Sequence, residues 1–251
     1  MHVTRPELNI SPRFGAVSTY SFPLFEDLEG DELSSALALH AGQRRCERDT
    51  QLIRAGDPRA PLLTMLRGWA FRYTLLQDGR RQILNVVLPG DTVGVDTVLT
   101  GVPGLPVQSA GPVSYCLFDR DRAAALADEQ PWFRRRAVDA LVRERAAAQA
   151  AMTRLGQCTA EERIASLLLE LYGRLYRRGL ANNGTFVLEL TQQHLADLIG
   201  LTAVHLNRVL QRMRARGLIA TTGQRVTLLD VSSLECLAPL RDAQPSSRLL
   251  S

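Results

Sequence analysis

The stretch TQQHLADLIGLTAVHLNRVLQRMRARGLI, residues 191–219, decides how the C-terminal third of this chain is read. Thr191 stands where an N-cap is needed and opens a short helix through Ile199, because a Thr hydroxyl can accept from an otherwise unpaired N–H of the first turn. Ala196 is small where a second helix has to approach closely. Gly200 suits a left-handed turn position that a side chain disfavours. Thr202 then caps a second helix, in which Leu206 and Val209 face back toward the first. A small residue, Gly at +4 and apolar residues at +10 and +13 is the spacing of a helix-turn-helix. An ordinary helical hairpin is the alternative.

The second helix divides its faces. Leu206, Val209, Leu210 and Met213 form the apolar side. Thr202, Ala203, Val204, His205, Asn207 and Arg208 include the early turns, the part of such a helix that touches base edges in the major groove. Arg can hold guanine through two hydrogen bonds and Asn can hold adenine. Arg212, Arg214 and Arg216 extend the positive face toward phosphates. Gly217-Leu218-Ile219 ends the helix, and Thr221-Thr222-Gly223-Gln224-Arg225 reads as the tip of a β-hairpin wing. Thr191, Gln192 and Arg225 complete the candidate DNA-contact set. Between Thr191 and Leu229 five Arg stand against one Asp, a net +4.

Upstream, Thr159-Ala160-Glu161-Glu162 has the form of a capping box. It opens a helix with Ile164, Leu167, Leu168, Leu171 and Leu175 at helical spacing, which Asn182-Asn183-Gly184 is expected to end. Phe186 to Leu190 alternates like a strand. Before this, Pro131 to Leu155 has no internal Pro or Gly and is rich in Ala and Arg, strong helix formers. Val138, Leu141, Val142, Ala148, Met152 and Leu155 recur on one stripe. A narrow stripe on a long helix suits a coiled-coil-like seam with a second copy; packing against the chain's own barrel is the alternative. Arg145 falls within the stripe, and Arg134-Arg135-Arg136 reads as a solvated face.

From Gln51 to Phe118 the chain reads as short β-rich runs: Thr64–Leu66, Ala70–Leu76, Gln82–Leu88 and Val113–Phe118. Ala55-Gly56-Asp57-Pro58, Gln77-Asp78-Gly79, Pro89-Gly90-Asp91 and Val102-Pro103-Gly104 break them. Asp78-Gly79 between alternating runs is a hairpin signal, and many short strands at regular spacing indicate a barrel or jelly roll. A short helix is expected within Leu24 to Leu39, where Leu33 and Leu37 lie four apart.

The order Phe25-Glu26-Asp27-Leu28, Gly56-Asp57, Gly68, Asp78-Gly79-Arg80 and Pro89-Gly90-Asp91-Thr92-Val93-Gly94 resembles the sensor domain of the CRP/FNR family of transcription regulators. Gly200-Leu201-Thr202, Asn207-Arg208 and Gly217-Leu218-Ile219 resemble its DNA-binding domain, and the resemblance runs from about Phe22 to Leu237. It implies an α+β fold: a cyclic-nucleotide-binding-like β jelly roll over 15–130, a dimerisation helix over 131–156, and a winged helix-turn-helix over 157–237. By position Arg208 matches the family's guanine-contacting Arg. The implied partners are double-stranded DNA across a palindromic operator, a second copy of the chain, RNA polymerase and a small-molecule effector of unknown identity.

Two departures matter. Val204 stands where well-known members carry a base-contacting Glu. In cyclic-nucleotide-binding members Pro-Gly-Asp leads to a Gly-Glu pair and then an Arg-Ser or Arg-Thr that grips the cyclic phosphate. Here Gly94 is followed by Val95, the Arg-Ser position falls near Pro103-Gly104, and no Arg or Lys occurs across the 38 residues from Gln82 to Asp119. A buried phosphate needs a guanidinium or a nest of N–H groups, so cyclic AMP is not the expected ligand. An Arg reaching in from elsewhere, such as Arg72 or Arg80, would restore the charge; a cyclic-nucleotide-binding signalling module with cyclic-nucleotide-dependent DNA binding is the alternative. The candidate effector set is Arg72, Gly90, Gly94, Val95 and Asp96.

Composition fits this division. The 251 residues carry a net charge of +4, but residues 1–130 hold 13 Arg against 16 acids and residues 131–251 hold 17 Arg against 10. The basic half is the candidate for a polyanionic partner, with chance imbalance on a solvated surface as the alternative. All 30 basic residues are Arg, so phosphate contacts must use guanidinium, backbone N–H or neutral groups. Cys46, Cys116, Cys158 and Cys236 are 70, 42 and 78 residues apart. None has the local spacing of a metal or cluster ligand pair, so reduced thiols are expected, with a lone redox-sensing thiol as the alternative. No apolar run approaches the roughly 18–20 residues of a membrane span, and the N-terminus has no signal core; a cytoplasmic protein that keeps off the membrane is expected. No motif calls for a cofactor. No nucleophile, phosphate-loop or metal-spaced His pattern points to an enzyme.

Overall fold

The computed structural model describes residues 24–25, 28–102 and 104–239. Glu26, Asp27, Pro103 and the stretch before Leu24 lie outside the described residues, and with them parts of the expected motifs Phe25-Glu26-Asp27-Leu28 and Val102-Pro103-Gly104 and the start of the expected sensor domain.

The expected β runs form two four-stranded antiparallel sheets. The first has the order β1 (His40–Cys46), β8 (Val113–Phe118), β3 (Leu62–Arg67) and β6 (Thr92–Val93). The second has the order β2 (Gln51–Ile53), β7 (Val107–Ser109), β4 (Ala70–Leu75) and β5 (Arg81–Val87). β4 and β5 pair across the Asp78-Gly79 turn, as a hairpin signal with Gly79 at φ 84° allows. β1 escaped the sequence reading because HAGQRRC is polar. Among the described residues it is an edge strand paired only with β8, and much of it is exposed.

The roll is buried on three levels. Leu52, Leu63, Met65, Ala70, Val87, Val107 and Tyr115 fill the space between the sheets. The outer face of the first sheet is covered by helices: Leu62, Leu66, Cys116 and Phe118 join Leu39, Val95, Val98, Ala123, Ala127, Phe133 and Ala137. These come from the end of α1 (Gly30–Ala38), from α2 (Val95–Thr100) and α3 (Arg120–Glu129), and from the start of α4 (Pro131–Gln157). This explains why five of the six residues of β3 are buried, since a strand covered on both faces has no solvent side to alternate with.

The outer face of the second sheet is covered by the C-terminal segment. Trp69, Phe71, Tyr73, Ile83, Val86 and Leu88 join one apolar cluster with Ile164, Leu168, Leu171, Leu195, Leu206, Val209 and Met213. That segment contains α5 (Ala160–Tyr176), β9 (Ala181–Asn182), β10 (Thr185–Val187), α6 (Gln192–Ile199), α7 (Ala203–Ala215), β11 (Ile219–Thr222), β12 (Arg225–Leu228) and α8 (Val231–Leu237). The capping box is present: the Thr159 hydroxyl accepts from Glu162 N–H and the Glu162 carboxylate accepts from Thr159 N–H at 2.7 Å.

One expectation is corrected here. Asn182-Asn183-Gly184 does not end α5, which stops at Tyr176. Asn183 (φ 48°) and Gly184 (φ 72°) form the two-residue turn between β9 and β10. Two consecutive positive φ angles are what a type I′ hairpin requires, and Asn-Gly is the pair that adopts them most readily. The helix ends instead at Arg177, followed by Gly179 at φ 69°. Among the described residues no helix is long and apolar enough to cross a membrane.

Candidate nucleic-acid interface

Each end of the two short C-terminal helices is built from local chemistry. The Thr191 hydroxyl accepts from His194 N–H at 3.1 Å, and the Thr202 hydroxyl accepts from His205 N–H at 3.2 Å. Gly200 is left-handed at φ 66°, and a Cβ there would meet Leu155 Cδ2 at 3.2 Å. Ala196 is fully buried beneath α7 with Leu206, Val209 and Met213. The apolar side expected of the second helix is thus the buried side, with Leu210 packed at its edge.

The other face of α7 is open. Thr202, Val204, His205, Arg208, Gln211, Arg212 and Ala215 line one broad surface depression. Val204 is 64% exposed, and Thr202, His205, Arg208 and Arg212 are exposed as well. Ala203 and Asn207 sit half-buried beside this face. Asn207 Nδ2 donates to Gln192 Oε1 at 2.7 Å, so the two helices present one joined polar surface. Arg225 is exposed on the wing, β11 and β12, whose tip holds Gly223 at φ 60°. Arg214 reaches the wing and donates to Thr221 Oγ1 at 3.0 Å, while Arg216 pairs with Glu161. Thr191 and Gln192 stand at the start of α6, Thr191 half-buried and Gln192 exposed. Gln211 and Ala215 were not in the sequence set. Their spacing from Val204 and Arg208 at i, i+4, i+7 and i+11 was the signal that places all four on one helical face.

The candidate effector residues are only partly brought together. Gly90 and Gly94 are both left-handed at φ 92°, and a Cβ on Gly94 would meet Pro61 O at 2.3 Å. Val95 points into the helix-covered core, and Asp96 Oδ1 accepts from Thr97 N–H at 2.9 Å. Arg72 is 5% exposed and ion-paired with Glu144 of α4. Burial pulls its pKa down, and the charges of Asp96 and Asp91 oppose that pull. Arg80 turns to solvent and pairs with Asp78 at 2.8 Å.

Asp91 faces the C-terminal segment, where its carboxylate receives Arg174 at 2.6 Å, Arg178 at 2.5 Å and Leu88 N–H at 2.8 Å. Burial pushes this carboxyl up, but the two guanidinium groups and the N–H more than offset it, and its pKa lies below the usual value. The same interface holds Arg81, which pairs with Asp197 of α6 at 2.9 Å and lies over the Phe71 ring. Gln82 Nε2 donates to Asp197 O at 2.6 Å. The buried His194 ring lies 4.8 Å from Phe71, and burial, with Arg81 close by, lowers its pKa.

On α4, Val138, Val142 and Met152 are 45%, 56% and 71% exposed, and Ala148 is exposed beside them. Leu141 departs from that stripe: it packs on the apolar cluster under the roll's helices, because it lies one residue around the helix toward the side holding Phe133 and Ala137. Among the four cysteines Cys116 and Cys158 are buried, Cys46 half-buried and Cys236 exposed, all as free thiols.

This arrangement matches known proteins over most of its length. Residues 43–130 match the cyclic nucleotide-binding domain and residues 162–237 match the Crp-like helix-turn-helix domain. The chain is 33% identical over 174 residues to the nitrogen fixation regulation protein FixK of Bradyrhizobium diazoefficiens, covering 69% of this chain and 72% of that protein. It is 31% identical over 212 residues to the transcriptional activatory protein AadR of Rhodopseudomonas palustris, covering 79% and 85%. The solved structure of FixK2 from Bradyrhizobium japonicum superposes with a TM-score of 0.73 at 26% identity, covering 80% of this chain and 98% of that one. With a sensor-like β roll, a long connecting helix and a helix-turn-helix of this spacing, the chain belongs to the CRP/FNR family of transcription regulators.

Proposed function

We propose that this regulator binds a palindromic operator as a homodimer, with α7 in the major groove and no requirement for cyclic AMP. The observation that carries the reading is the open face of α7, where Arg208, Arg212 and the exposed early turns stand clear of the core. Arg208 is the base reader, suited to the O6 and N7 of guanine. Asn207 and His205 contribute at the neighbouring step, with Thr202, Ala203 and Val204 shaping the surface. Thr191, Gln192, Arg212 and Arg225 hold phosphates on either side. Val204 offers no carboxylate to cytosine, so the operator differs from one read by a Glu at that position.

The exposed stripe of Val138, Val142, Ala148 and Met152 supports the dimer, since such a seam is buried only by a second copy. Two recognition helices related by a two-fold axis read half-sites about one helical turn, roughly 10 bp, apart. RNA polymerase is the protein partner this reading implies, and the expected domain limits of 15–130, 131–156 and 157–237 remain part of it.

Against cyclic AMP stands electrostatics. A cyclic phosphate entering the roll loses its water, and only fixed charge or N–H groups replace it. Residues 82–119 supply no cation. Arg72 is engaged by Glu144 and Arg80 faces solvent. Selection of bound duplexes from a random pool, with and without cyclic AMP, tests the whole reading. A palindrome recovered equally in both arms is expected. Recovery of no preferred sequence, or of one only with cyclic AMP, counts against it.

A further inference from the structure

The first turn of α7 carries a residue that cannot hydrogen-bond to a base. Val204 is 64% exposed, and among the described residues it is the only large apolar side chain exposed between Thr191 and Arg216. Single exposed apolar residues are ordinary on protein surfaces, so its place matters more than its exposure. Val204 lines the same open depression as Arg208 and Arg212. It leads the face on which Arg208 follows four residues later.

The polar alternatives are missing from this end of the helix. The first turn of α7 holds no acidic residue, although the helix dipole favours one there. No carboxylate lines the depression among the described residues, so the amino group of a cytosine would find no charged acceptor. The nearby Thr202 hydroxyl already accepts from His205 N–H at 3.2 Å as the cap of the helix.

Two properties of Val fit one kind of partner. A β-branched side chain in a helix keeps essentially one χ1 rotamer, so both methyl groups are in place before DNA arrives. Neither methyl donates or accepts. Pressed on a polar base edge, Val204 would strip water from a group and leave it unpaired. The base edges in the major groove carry hydrogen-bonding groups, and the apolar group among them is the C5-methyl of thymine.

We infer that Val204 is a specificity-determining residue that packs on a thymine methyl in each half-site, an assignment that rests on the operator reading above. One helical turn separates it from Arg208, about 6 Å of rise, so the thymine lies within about two base steps of the guanine that Arg208 reads. The contact selects thymine over cytosine there, whereas a Glu at position 204 would favour cytosine.

Base substitution in a selected operator tests this. Duplexes are recovered from a random pool with the wild-type protein, and each thymine of the half-site is replaced by deoxyuridine, which lacks only the methyl. At the thymine in question, loss of one buried methyl should weaken wild-type binding about three- to fourfold per half-site and roughly tenfold when both half-sites are changed. Cytosine at that position should bind more weakly than thymine, and 5-methylcytosine should regain about three- to fourfold over cytosine. These arms use the wild-type protein alone. Val204→Ser, at a position exposed enough to leave the fold intact, should bind the thymine and deoxyuridine duplexes equally. The responsive thymine should also lie within about two steps of the guanine whose preference Arg208→Ala removes. A palindrome in which no thymine responds, a response that persists undiminished in Val204→Ser, or no gain from 5-methylcytosine overturns the assignment and leaves the operator reading standing. Recovery of no preferred sequence overturns both.

Discussion

Replacing Asp91 by Asn removes one negative charge from between two guanidinium groups while keeping the shape of the side chain. Arg174 and Arg178 approach it at 2.6 and 2.5 Å, and all three side chains are only 14–21% exposed. Removing one partner of a fully buried ion pair costs about 3–5 kcal/mol, because the surviving charge is left without compensation. Partial solvent access reduces that figure, and the Asn side chain still accepts from Leu88 N–H. We expect Asp91→Asn to destabilise the protein by about 2–4 kcal/mol at pH 7, a loss of roughly 4–16 °C in Tm for a chain of this size. Thermal unfolding followed by circular dichroism measures it. The pH dependence follows from the depressed pKa of Asp91. Its stabilisation is full above the unfolded-state value, near 3.8, and is lost as the pH falls through the lower folded value. The gap between wild type and variant should therefore close in strong acid. A gap under about 0.5 kcal/mol at pH 7, the scatter of ordinary surface substitutions, would refute the argument; a gap that persists unchanged in acid would show that its cause is not electrostatic.

Arg208→Ala should leave the fold intact, since the side chain is exposed. It should lower discrimination by about 1–3 kcal/mol per half-site, read by competition between operator and random duplex. Arg212→Ala should instead weaken all duplexes alike and flatten the salt dependence of binding; the opposite pattern would exchange the roles assigned to the two residues. Val142→Arg puts a charge into the exposed stripe of α4 and should give monomers in sedimentation at micromolar concentration, whereas an unchanged dimer would place the seam elsewhere. Gly200→Ala forces a Cβ into a left-handed position and within 3.2 Å of Leu155. It should lower stability by about 1–2 kcal/mol in chemical denaturation, and an unaltered midpoint would mean that the turn relaxes freely.

The helix-turn-helix was legible in the sequence because its signals are local. Thr191 and Thr202 act on N–H groups three residues away, and Gly200 is required by its own φ angle. Ala196, Leu206 and Val209 report a contact between helices joined by a short turn. The β4–β5 hairpin was legible for the same reason. Asn183-Gly184 shows the limit of local reading. The pair does mark a turn, but nothing nearby says that the turn joins two strands rather than ending α5, because a strand is defined by a partner elsewhere. β1 was missed on the same ground: its polar residues make an edge strand only once β8, some 70 residues later, lies beside it.

What tertiary structure alone decided are the pairings across long stretches of chain. Asp91 sits in a turn whose local form was readable, yet its partners lie 83 and 87 residues away. Arg72 looked like a spare cation for the sensor and is taken by Glu144. Leu141 shared the spacing of the seam and turned to the roll. Periodicity shows which side of a helix or strand is apolar, but not which neighbour covers it. That choice depends on how the roll, α4 and the C-terminal segment pack together.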